Sequence, residues 1–176
     1  MTGRTMRMAA LLCLTAGMAL AQDGATPPGD GSDADVDADD RAATLRADAL
    51  GACLTAAGAD DVRARFCHGF LSTACREGRP GGETTTGLVM CAGEELTAWE
   101  TALSSEVAAW ADLTDAAAVE ASDTAWRAFR DADCALQALR WEGGSLARVE
   151  ETECLLSRTV DRAIDLRSRR DSFGGP

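Results

Sequence analysis

The cysteines constrain this chain most. Of the seven, Cys13 lies in an apolar run near the start, and the other six are Cys53, Cys67, Cys75, Cys91, Cys134 and Cys154. Six cysteines allow 15 pairings, and spacing alone does not choose among them. Turn signals do. In "FRDADCALQALRWEGGSLARVEETEC" Cys134 stands ten residues before Gly144 and Cys154 ten after it. Two residues equidistant from the turn of an antiparallel helical hairpin sit at one height on facing helices, where Cα atoms can approach the ~5.5–6 Å that a disulfide needs. Cys53 and Cys67 flank "GAD" in the same way, and Cys75 and Cys91 flank "RPGGETTT". The expected pairs are therefore Cys53 with Cys67, Cys75 with Cys91 and Cys134 with Cys154. Each closes a short loop and is expected to stabilise the fold by about 3 kcal/mol.

Between the turns the sequence is rich in Ala, Leu, Glu and Arg, and its apolar residues recur at helical rather than alternating spacing. The expected fold is all-α: disulfide-stapled antiparallel hairpins forming a small bundle of about five helices. The first spans about 41–57, with Leu45, Leu50 and Leu54 inward. The second spans about 61–77, with Val62, Phe66, Phe70 and Leu71. The third covers 87–112 on Leu88, Leu96, Trp99, Leu103, Val107 and Trp110. The fourth covers 115–141 behind a Thr114 cap, with Val119, Trp126, Phe129 and Leu136. The fifth runs from a Ser145 cap to about Arg170, with Leu146, Val149, Leu156, Val160, Ala163 and Leu166. Trp99, Trp110 and Trp126 lie on these stripes and are read as core, while Trp141 precedes a turn and is expected at the surface.

Residues 1–21 have the zones of a secretory signal: basic Arg4 and Arg7, the run "MAALLCLTAGMAL" and a small-residue site at Ala21. The run is short of the ~20 apolar residues that cross a bilayer, so no membrane span is expected, and the protein is placed in the periplasm or outside the cell. Residues 22–40, "QDGATPPGDGSDADVDADD", hold seven acids and one large apolar residue, Val36, and read as a disordered acidic linker. They lack the twelve-residue calcium-loop pattern with its central glycine and terminal glutamate. Residues 41–86 form a stapled helical lead-in, and 87–171 the main helical domain.

Charge narrows function. The chain has 17 arginines against 29 acids, net −12, and removal of Arg4 and Arg7 with the leader takes this to −14. Nucleic acid and anionic membrane require basic surface and are excluded as partners. A basic protein partner, or simple solubility, fits. No cofactor is expected: there is no CxxC for zinc or for thiol redox chemistry, and the glycines lack a phosphate-loop pattern. His68 is the single histidine and has no nucleophile elbow near it, so the chain is not expected to be an enzyme.

"AWRAFRDADC" followed by "EGGS" and a further cysteine, with the arginine-rich "SRTVDRAIDLRSR" after it, resembles the LprI-like lysozyme-inhibitor family. "CAGEELTAWETALSSEV" is similar to that family's upstream stretch, with Ser104 and Val107 where Asn and Tyr are usual, and Asp123 and Thr124 in place of Gln and Arg. The resemblance covers about 87–170. It marks Trp99, Trp126, Arg130, Asp131, Gly143, Gly144 and Ser145 as motif residues, which their positions make structural; Arg130, one turn after Trp126, is expected in a structural ion pair or a helix contact. It implies an exported domain that binds and inhibits lysozyme without covalent chemistry, the alternative being an accessory domain that binds another cell-envelope protein. It singles out no target-contacting residue.

Overall fold

The computed structural model describes residues 33–173. The expected secretory signal and the first part of the expected acidic linker lie outside them. Six α-helices follow one another: α1 (Asp33–Ala57), α2 (Asp61–Arg65), α3 (Phe70–Gly78), α4 (Thr85–Leu113), α5 (Ala116–Ala138) and, after a short 3₁₀ turn at Leu139–Trp141, α6 (Ser145–Phe173). Among the described residues there is no strand, and no helix is long and apolar enough to cross a membrane. The fold is an all-α bundle stapled by three disulfides.

The helix boundaries follow from local chemistry. Asp60 caps α2 by accepting from Val62 N–H (3.0 Å) and Arg63 N–H (3.1 Å), and the Thr84 hydroxyl caps α4 by accepting from Gly87 N–H (3.1 Å). Asp115, not Thr114, caps α5 and accepts from Ala117 N–H (3.0 Å). Both residue types cap, and the chain uses the one whose carboxylate reaches the first turn. Arg167 of α6 donates to Leu54 O in the last turn of α1 (3.1 Å) and to Gly58 O just past its end (3.3 Å), placing a cation where the helix dipole favours one.

α4 and α6, each of 29 residues, run side by side in the same direction, with α5 returning between their ends. α1 and α3 pack on α4, and α2 on α6. The core is one cluster: Leu50 and Leu54 of α1, Trp99 and Leu103 of α4, and Leu156, Val160 and Ile164 of α6 are all buried. At roughly 1.5–3 kcal/mol per large apolar side chain, this shared cluster is what makes the lead-in helices part of the same body.

Several expected positions differ. α1 begins at Asp33, inside the stretch read as linker. Acids at a helix start have the sign the dipole favours, so the run that argues for disorder also suits a helix N-terminus. Leu45 is exposed, because it stands five residues before Leu50, about 140° round the helix, and the inward face is Ala43, Ala47, Leu50, Leu54 and Ala57. The helix expected over 61–77 is divided at Gly69 (φ 87°) into α2 and α3. The Cys53–Cys67 bridge turns Cys67 inward and leaves Val62 and Phe66 exposed. On α5 the inward positions are Trp126, Arg130 and Cys134, so Phe129 and Leu136 face out, and Leu146 at the start of α6 is exposed as well.

Gly87 permits a close approach of the α3–α4 loop to α4. A Cβ there would meet the carbonyl oxygens of Gly81 and Gly82. Gly87→Ala is therefore expected to force the α3–α4 loop off α4 at a cost of about 1–3 kcal/mol, seen as a lowered urea midpoint with the slope unchanged.

Candidate binding site

Three constellations stand out, and the first two are structural. Glu95, fully buried on α4, accepts from Gly69 N–H (2.6 Å), Ser72 N–H (2.8 Å) and Trp99 Nε1–H (3.2 Å). It is the missing cap of α3, which begins at a glycine with no side chain to offer. One carboxylate thus fixes the split between α2 and α3 and orients the central tryptophan.

The second is centred on Arg130, which is 7 % exposed. Its guanidinium donates to Glu100 of α4 (3.0 Å), Thr159 of α6 (3.0 Å) and the neighbouring Asp131 (2.8 Å), and lies over the Trp126 ring at 5.3 Å. Arg162 approaches the same ring at 5.8 Å. Four residues of the stretches that resemble the family thus fall into two sets: Trp99 with the buried Glu95, and Trp126, the buried Arg130 and the exposed Asp131 with Glu100 and the buried Thr159. Sequence reasoning missed Glu95, Glu100 and Thr159. A signal existed for Glu95, which lies four residues before Trp99 on an inward stripe where a charge needs partners.

The third is the tip of the α5–α6 hairpin, which holds the other motif residues and is exposed. Glu142 has φ 50°, the only non-glycine positive φ among the described residues, and Gly143 follows at φ 75°. Glu142 N–H donates to Leu139 O (3.0 Å) and Gly144 N–H to Trp141 O (2.8 Å), so the turn is closed by its own backbone. Trp141 packs under Arg140 (5.2 Å) and donates to Glu150 (3.3 Å), which also pairs with Arg140 (3.3 Å). Below them the Cys134–Cys154 disulfide holds the two helices at a Cα separation of 5.5 Å. The Cys53–Cys67 and Cys75–Cys91 bridges have Cα separations of 5.9 and 5.5 Å. Asp133 lies beside the Cys134 and Cys154 sulfurs, but these are consumed in the disulfide and Asp133 pairs with Arg158 (2.7 Å), so the trio is not a metal centre.

The model of the lysozyme inhibitor LprI family matches residues 75–166. The chain belongs to the LprI family. No curated protein and no solved structure matches it. The LprI match opens at Cys75 rather than at 87, so it takes in the Cys75–Cys91 bridge, all of α4 and α5 and most of α6. Both buried constellations lie across it: Glu95, Arg130 and Thr159 are inside, and only Gly69 and Ser72 precede it. The hairpin tip is inside as well. Within the LprI domain, loss of the bridge in Cys134→Ser with Cys154→Ser is expected to cost about 3 kcal/mol and to leave the tip mobile, read as faster amide exchange over 139–147.

A further ionisable group lies between α4 and α6. Burial pushes the Glu106 carboxyl above its ordinary 4.5, against the attraction of Arg170 and Arg167 and with a small push from Asp171. Because the folded state holds this proton more tightly than the unfolded state, the stabilisation is complete below pH 4.5 and declines as pH rises through the raised value. Glu106→Gln is expected to remove that decline, which urea unfolding across this acidic range measures.

The single histidine, His68, is exposed between α2 and α3. The LprI family is an inhibitor family and not an enzyme class.

Proposed function

We infer that this chain is an exported inhibitor that binds a basic lysozyme non-covalently, presenting the α5–α6 hairpin tip to it. Family membership over residues 75–166 carries the reading. Two further features support it. The chain's net charge of −12 would steer a cationic enzyme toward it. The tip is pre-organised: a disulfide, a turn closed by its own hydrogen bonds and a left-handed Glu142 fix its backbone, which cuts the ordering cost of binding. Backbone held in a sparsely populated region concentrates at recognition sites. Export fits the three disulfides, which persist in oxidising compartments, and the secretory signal over 1–21 would supply the route, with residues 22–32 as a spacer ahead of α1.

Glu142→Arg tests the contact element. In a cell-wall lysis assay it is expected to weaken inhibition at least tenfold at low salt, with thermal unfolding unchanged because the side chain is exposed. Full inhibition by Glu142→Arg would move the contact away from the tip. An accessory envelope role without lysozyme binding is the competing reading, and the same assay on the unmodified protein decides between them.

A further inference from the structure

At the end of the bundle away from the hairpin tip, the last turns of α4, the first turns of α5 and the last third of α6 enclose a cleft of about 280 Å³. That is the lower end of ligand-sized cavities. Val107 and Trp110 of α4, Val119 of α5 and Leu166 of α6 form its apolar wall, and all four are half-buried where Trp99 and Leu103 further along α4 are fully covered. The wall is held open without a ligand. Trp110 Nε1–H donates to Leu166 O (2.9 Å), and the indole packs on Phe173 with ring centroids 5.4 Å apart. Arg162 sets the polarity of the cleft. Its Nη2 donates to the Ser122 hydroxyl (3.2 Å), its guanidinium lies 5.8 Å from the Trp126 ring, and its Nε has no hydrogen-bond partner. The other arginines of α6 from Arg158 onward are engaged: Arg158 with Asp133, Arg167 with backbone carbonyls, Arg169 with Asp165 and Arg170 with Glu106. Arg162 alone among them pairs with no carboxylate of the described residues.

We propose that this cleft binds a small organic carboxylate with an apolar body, of the medium-chain fatty acid class, its carboxylate on Arg162 and its chain against Trp110. Charge decides the class. Asp123 is the one acid that lines the cleft, and its Oδ2 is held by Arg127 (2.8 Å), while Arg169 at the rim is matched by Asp165, so the uncompensated charge is that of Arg162. Other hollows run the opposite way. The groove between α1 and α4 sets Asp48 and Glu106 against Arg167, and the hollow over Cys154 sets Glu150 and Glu153 against Arg158. A purely apolar ligand would cover Arg162 and leave a cation without a counter-ion, which is costly. A cationic one would be repelled. A carboxylate matches the planar guanidinium fork, and the apolar wall strengthens the pairing by keeping water from one side. The cleft stands roughly 30 Å along α5 from the hairpin tip. Its occupant therefore leaves that tip uncovered.

Titration of the purified protein, disulfides intact, with sodium octanoate tests this, read by calorimetry and by the indole N–H signal of Trp110 in nitrogen-15 NMR. Saturable one-to-one binding that shifts this signal is expected. Acetate, which lacks the chain, and 1-octanol, which lacks the charge, should each bind about tenfold more weakly or less, the effect of losing one partner of a charged hydrogen bond or its apolar support. Because a chain of net −12 disfavours anions as a whole, a preference for octanoate over octanol reads the local cation. Arg162→Gln should weaken octanoate about tenfold while leaving octanol unchanged. Ala118→Phe, at an exposed position on the cleft lining, should fill the space and abolish binding with thermal unfolding at its wild-type value. Should Arg162→Gln fail to fold, Ala118→Phe still reads the site. No saturable binding of octanoate, equal affinity for octanol, binding that leaves the Trp110 signal unmoved, or binding indifferent to both substitutions would overturn the proposal.

Discussion

Glu95→Ala is expected to lower the unfolding free energy by about 3–5 kcal/mol, the range for removing one partner from a buried charged interaction. Three donors, Gly69 N–H, Ser72 N–H and Trp99 Nε1–H, lose their acceptor in a site closed to water. A full-length side chain also leaves the core, so a cavity opens beside Trp99. Glu95→Gln separates the two effects. It keeps the volume, but its single carbonyl oxygen cannot serve both Gly69 and Ser72, which lie on different carboxylate oxygens, and its NH₂ would face one of these donors. It is expected to recover roughly half of the loss. Urea unfolding of the two variants measures this, and a Glu95→Ala protein within 1 kcal/mol of wild type would show that the α3 cap finds another acceptor.

Arg130→Ala is expected to cost a similar amount, about 3–5 kcal/mol. Arg130 is the one side chain that bonds α4, through Glu100, and α6, through Thr159, from α5. Its removal leaves Thr159, fully buried, with its own helix carbonyl at Leu155 as its remaining partner, and exposes one face of Trp126. The pairing with Asp131 adds little, because that carboxylate is largely exposed. A double-mutant cycle of Arg130→Ala with Glu100→Gln should show a coupling above 1 kcal/mol, whereas the cycle with Asp131→Asn should stay below that. The exposed pairs Arg63–Asp60 and Arg169–Asp165 are expected to be neutral within about 0.5 kcal/mol.

These residues also show what the sequence made legible. Leu50, Leu54, Trp99, Leu103, Leu156 and Val160 were readable as core because each recurs at helical steps on a long helix, where many apolar neighbours reinforce one another. The stripe on α5 misled, because Phe129 and Leu136 are as apolar as any core residue, and one-dimensional periodicity cannot tell an inward face from an exposed apolar one. Here the inward direction is set by Arg130 and Cys134, a cation and a disulfide partner, and hydrophobicity carries neither signal. The break between α2 and α3 was hidden for a related reason: "CHGF" contains one glycine, and the feature that makes the break stable is Glu95, 26 residues away. Asp33 to Asp40 read as linker from composition, and composition does not distinguish a solvated acidic segment from an acidic helix start. The hairpin tip was legible in outline from "EGGS", but the left-handed Glu142 required the backbone.

The central claim is that this member of the LprI family inhibits lysozyme by binding it. The direct measurement is a titration of the purified protein, disulfides intact, into a lysozyme lysis assay on cell walls at low and moderate salt. Stoichiometric inhibition that weakens as salt rises is the predicted result. Undiminished lysis at micromolar protein, or cleavage of the wall by the protein alone, would contradict it.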